Sequence, residues 1–117
     1  MKNFLKKVRE KKASMLTYAE ILRFPIGEVA EISDGVFIER LPTFNDVIFF
    51  RVEMEEDSFI FSGVHDCKED VILYYGDVVE THKALKLKPY QHVTIKKNTP
   101  HAFRAREKSV FYAYLYK

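Results

Sequence analysis

Cysteine is almost missing from this chain. Cys67 is the only one in 117 residues, so no intrachain disulfide can form and a secreted, disulfide-stapled framework is excluded. Long apolar runs are missing too. No stretch approaches the roughly 18 apolar residues that a membrane-spanning helix needs. The N-terminus MKNFLKKVREKKASM is basic, but it leads into no unbroken apolar segment like that of a secretory signal. A Gly-x-Ser-x-Gly elbow, a Walker loop, internal repeats and low-complexity linkers are all absent. These absences predict one cytoplasmic domain with no membrane partner.

What is present is a globular composition, 47% hydrophobic and 31% charged, too apolar for a disordered chain. Ten Phe and seven Tyr favour strands, because aromatic side chains suit a pleated, half-buried surface. The net charge of +2 conceals an uneven distribution. Residues 1–12 hold six basic side chains and one acidic one; removing them from 19 and 17 leaves 13 basic and 16 acidic. Phe4, Leu5 and Val8 lie at helical spacing in that tip, which predicts a solvated or docking N-terminal helix. The rest of the chain has no basic groove signature, so nucleic acid is not an expected partner.

Punctuation divides the chain at residue 25. Met15, Leu16, Ala19 and Leu22 have helical periodicity after a candidate N-cap, Ser14, and Pro25 and Gly27 close the segment. The expectation is a basic, partly helical extension over 1–25 and an all-β domain over 26–117. In that domain, runs of Val, Ile, Phe and Tyr alternate with turn signals, the pattern of a sandwich or barrel. Strands are predicted over 28–32, 36–41, 47–53, 58–66, 70–75, 83–87, 92–96, 102–105 and 109–116.

Strand parity then nominates a site. Phe59, Phe61, Gly63, His65 and Cys67 share one face of an extended strand. The two Phe mark that face as the expected interior, so His65 and Cys67 point inward, joined by Glu69 if extension continues. Successive members lie roughly 7 Å apart along the strand. A second contribution comes from YQHVTIKKNTPHAF, residues 90–103. There Asn98 suits a left-handed turn position, and Pro100 stiffens the approach to His101. Asp66 and Asp70 have the opposite parity and are expected in solvent. So is His92, one residue out of phase with Val93 and Ile95, while His82 reads as part of an exposed connection.

This order of residues resembles the two motifs of the small cupins. The first has His-x-His, a short gap, Glu, six residues and Gly, and GVHDCKEDVILYYGD follows it with His65, Cys67, Glu69 and Gly76. Cys67 stands where the family has its second histidine, and the gap to Glu69 is one residue instead of three or four. The second motif has Gly-Asp, a strand, Pro-x-Gly, two residues and His. Here Tyr90-Gln91, Lys96, Asn98 and His101 occupy those places. The resemblance covers residues 37–116.

The resemblance implies a jelly-roll β-barrel of cupin type, with a metal held by His65, Cys67, Glu69 and His101. Imidazole and thiolate donors suit zinc, iron or nickel better than magnesium. Phe59, Tyr75 and Phe103 are the candidate walls of a small-molecule ligand or substrate site. Whether turnover occurs is left open by the residues. The competing expectation is a metal-free barrel that holds a sugar or acidic metabolite, its histidines hydrogen-bonded and Cys67 a small buried apolar residue. The alternating Tyr112, Tyr114 and Tyr116 predict a homodimer face.

Overall fold

A computed structural model describes residues 8–9, 23–62 and 67–116, with Val8, Arg9, Phe61 and Ser62 described by backbone alone. Its strands are β1 (Val8–Arg9), β2 (Val29–Ser33), β3 (Val36–Phe44), β4 (Val47–Met54), β5 (Phe59–Ser62) and β6 (Glu69–Tyr75), followed by β7 (Val78–Glu80), β8 (Leu85–Lys86), β9 (His92–Ile95), β10 (His101–Ala105) and β11 (Ser109–Tyr116). They form two sheets, β1-β2-β3-β4-β11-β6-β9 and β5-β10-β7-β8. Every pairing is antiparallel except β1 with β2. No helix occurs among the described residues, and the architecture is the all-β jelly roll expected. Most of the helix predicted over 15–24 lies outside the described residues; Arg23 and Phe24, which lie within them, are not helical.

The core is built by alternation. Ile48, Phe50, Val52 and Met54 on β4 face inward, as do Phe111, Ala113 and Leu115 on the neighbouring β11. Phe103 and Ala105 on β10 meet them from the second sheet. A fully buried side chain of this kind contributes about 1.5–3 kcal/mol. These layers hold the sheets together, whereas buried charges on their own contribute little or oppose folding.

Turn chemistry sets the register. β3 and β4 are joined at Asn45 and Asp46, both with positive φ (50° and 62°), the conformation a two-residue hairpin with the native twist requires. Asn98 takes φ 60°, as its place in the turn before His101 suggested. The strand predicted over 83–87 is instead a short hairpin, with β7 and β8 joined through residues 81–84. The three-residue strand VVE was too short to show a period in the sequence.

The outer face of the larger sheet carries side chains in cross-strand rows. Asp70, expected in solvent, is buried there. Its carboxylate accepts hydrogen bonds from Thr94 Oγ1 and Tyr116 Oη, each at 2.6 Å. Burial pushes the Asp70 pKa up, but these two donors, with the charges of Lys68 and His92, outweigh it and leave it lowered. One carboxylate thereby ties β6, β9 and β11 together. The tyrosine row of β11 is consequently not uniform, because the Tyr116 hydroxyl is engaged in this network. Tyr112 instead packs edge-on against exposed Tyr74, 6.2 Å away.

Gly76 follows β6 with φ 109°, a conformation that a β-carbon disfavours. A β-carbon added there would also lie 2.5 Å from Ser109 Cα. Ser109 cannot retreat, since it is fully buried and its hydroxyl bridges the Asp77 amide and the Glu107 carbonyl. Strain and overpacking together make Gly76→Ala destabilising by about 3 kcal/mol. Urea unfolding of the two proteins checks this, and equal midpoints would contradict it.

Candidate functional site

Glu69 opens β6 and His101 opens β10, one from each sheet. Glu69 pairs with Ile95 on one side and Leu115 on the other, and its face continues into buried Val71 and Leu73. His101 is directed inward by the turn before it and alternates with Phe103 and Ala105. Both are buried, and His101 Nε2 lies 3.2 Å from Glu69 Oε1.

The second ring nitrogen fixes the tautomer. Nδ1 is 3.0 Å from the Thr99 carbonyl, which can only accept, so Nδ1 carries a proton. The Nε2 side is then left facing a carboxylate. Burial pushes the His101 pKa down, but the hydrogen bond and charge of Glu69, the Thr99 carbonyl and the charge of Glu80 outweigh it. The net shift is upward. A charged imidazolium–carboxylate pair is compatible with this separation, and so is a cation. Two ligands bound at about 2.1 Å are about 3.0 Å apart at a right angle and about 3.4 Å apart at the tetrahedral angle. The observed 3.2 Å lies between these values.

The remaining nominated residues are distributed unevenly. Phe103 stands beside the imidazole, with ring centroids 5.8 Å apart. Cys67 is half-buried and packs against the core. His65 lies outside the described residues. Phe59 is not at the site. In register, Ile60 faces Phe103 and packs on the core, whereas Phe59 faces Arg104, whose guanidinium lies 5.5 Å from the Phe59 ring centre. The interior layer is already occupied by Phe103 against Phe111 at 5.4 Å, and the smaller Ile60 completes it. Tyr75 is also displaced, being 42% exposed. A register shift between Val110 and Phe111 breaks the alternation of β6 and turns both Tyr74 and Tyr75 outward. Among the described residues no cluster of three His, Cys, Asp or Glu side chains converges as a metal site.

Sequence reasoning missed Glu80. It is buried, and it accepts hydrogen bonds from the backbone amides of His82, Lys83 and Ala102 at 3.1, 2.8 and 2.9 Å. Desolvation pushes its pKa up, but these amides, with the charge of His82, hold it below the usual carboxylate value. Glu80 therefore pins the 81–84 turn to β10 next to His101. Its parity with Val78 was the available signal. His82 and His92 are exposed as expected.

No protein-family model matches this chain, and no curated protein does. Solved structures do. The cupin_2 domain of an XRE family transcriptional regulator from Enterobacter cloacae has a TM-score of 0.63 at 17% identity, over 71% of this chain and 97% of that one. An RmlC-like cupin from Shewanella frigidimarina has a TM-score of 0.67 at 9% identity, over 86% and 87%. Hydroxypropylphosphonic acid epoxidase from S. wedmorenis has a TM-score of 0.64 at 14% identity, over 75% of this chain and 54% of that one. No helix among the described residues is long and apolar enough to cross a membrane.

The raised His101 pKa has a testable sign. A group whose folded pKa exceeds its unfolded value of about 6.5 contributes stability that is complete below that value and is lost as pH rises through the folded one. In the presence of a chelator, unfolding free energy should therefore fall as pH rises above about 6.5. Glu69→Gln should flatten that fall. A flat wild-type profile, or an unchanged slope in the variant, would contradict the pairing. From two sheets in jelly-roll order, a buried Glu–His pair between them and these neighbours, the chain has the cupin fold.

Proposed function

We propose that this protein binds a divalent transition metal, zinc, iron or nickel, inside the barrel and there acts on or senses a small molecule. The observation that supports it is the Glu69–His101 pair. Two buried donors from different sheets stand 3.2 Å apart, and the imidazole is oriented by a carbonyl on its far nitrogen, the arrangement that presents Nε2 to a cation. Cys67 does not converge with this pair, and His65, the further ligand expected from the sequence, lies outside the described residues. Such a metal supplies Lewis acidity or oxygen activation when bound. Glu69 and His101 hold it, Thr99 fixes the ring, and Phe103 excludes water from one side.

A metal-free reading uses the same pair differently. Protonated His101 and Glu69 then form an internal ion pair that ties the sheets together, and the barrel binds its ligand without chemistry. The fold accommodates both, since cupin domains belong to regulators as well as to enzymes.

Elemental analysis of protein purified without a histidine tag separates the two readings. Near-stoichiometric zinc, iron or nickel in the wild type, lost in His101→Ala and in Glu69→Gln, is the expected result. Protein that stays empty after incubation with excess ions would contradict metal binding and leave the ion-pair reading.

A further inference from the structure

Beside His101 the surface opens into a cleft of about 70 Å³ between edge strand β9 and the 81–84 turn. Lys83, Leu85, Val93, Thr99 and Pro100 line it, with Glu80 and His101. We propose, building on the small-molecule reading above, that this cleft takes the carboxylate end of a small organic acid and that Lys83 is its anchoring cation.

The charges around the cleft support this. Glu69 is balanced by His101, or by any metal the two hold. Glu80 is engaged on both oxygens by the amides of His82, Lys83 and Ala102, and His82 Nδ1 lies 3.4 Å from it. Lys83 is exposed, and its ammonium makes no ion pair among the described residues. Its backbone is nevertheless fixed, because its amide donates to Glu80 at 2.8 Å and the following Ala84 takes φ 52°. Lys83 is thus the one lysine or arginine among the described residues lining the cleft, held on a fixed turn, while the Glu80 carboxylate beside it is already occupied by backbone amides.

Size and polarity narrow the class. A water occupies about 30 Å³ in the liquid, so the cleft has room for a group of a few heavy atoms. Leu85, Val93 and Pro100 offer an apolar wall for a short methylene stem. A singly charged carboxylate matches one ammonium. A doubly charged phosphate would leave an unpaired charge beside Glu80.

The probe is sodium propionate, with propionamide as its neutral counterpart, followed by amide NMR on the full chain and with metal content measured on the same samples. Propionate should give saturable shifts at Lys83, Thr99 and Ala102. Binding should be about tenfold weaker for propionamide and for Lys83→Gln, the loss expected for one charge-assisted hydrogen bond, and Lys83→Arg should restore it. Metal content should not change in Lys83→Gln, whose dispersed amide spectrum would show that it folds. Equal binding of propionate and propionamide, undiminished binding by Lys83→Gln, or no saturable shifts would overturn the assignment. Loss of metal with propionate binding intact would remove the metal reading and leave this one.

Discussion

A carboxylate and an imidazole that face each other between two sheets set the terms for everything near them. Removing Glu69 and His101 from water is expensive, and their mutual attraction repays it only when every remaining polar atom is also satisfied. The surrounding structure meets that condition in part. The Thr99 carbonyl receives the second imidazole proton, and Glu80 takes up the amide of Ala102, the residue after His101. The turn that delivers His101 depends on a left-handed Asn98. Apolar layers from both sheets provide the net stability that tolerates this buried polar group.

Much of the architecture was legible because strands of Val, Ile, Phe and Tyr were separated by turn residues with specific backbone demands. Asn45, Asp46 and Asn98 all take positive φ where the turns were expected. His101 was legible from the rigid turn before it, whereas Glu69 was expected inward by carrying the parity of Phe59 through Lys68, a parity that β5 reverses at its start. Parity failed where the sheet breaks its own period. Tyr75 shares the parity of Glu69 in sequence, but the irregularity opposite Val110 and Phe111 turns it out. On β5 it is Ile60, opposite Phe103, that packs on the core, and Phe59 that faces Arg104, a pairing set by the neighbouring strand that β5 alone does not encode. Glu80 was hidden because its role is to accept from three backbone amides, contacts that exist only once the turn and β10 are in place. Asp70 was misjudged for a related reason. The outer face of the larger sheet carries its own hydrogen-bond network, so facing away from the core is not the same as facing water.

In this chain the sheets fix two donors from opposite walls, while the elements that border the cleft are short: a three-residue strand, a four-residue turn and an edge strand of four residues. Changes there alter what reaches His101 without disturbing the layers that hold the pair. Function therefore has to be argued from the side chains at this mouth, and the fold alone does not supply it.

The most direct measurement is the protonation state of the two His101 ring nitrogens by nitrogen NMR, without metal and after addition of zinc. The expected result is a proton on Nδ1 in both samples and a proton on Nε2 only in the first, replaced by the metal in the second. An Nε2 that keeps its proton in the presence of excess zinc would contradict the account and leave Glu69 and His101 as an internal ion pair.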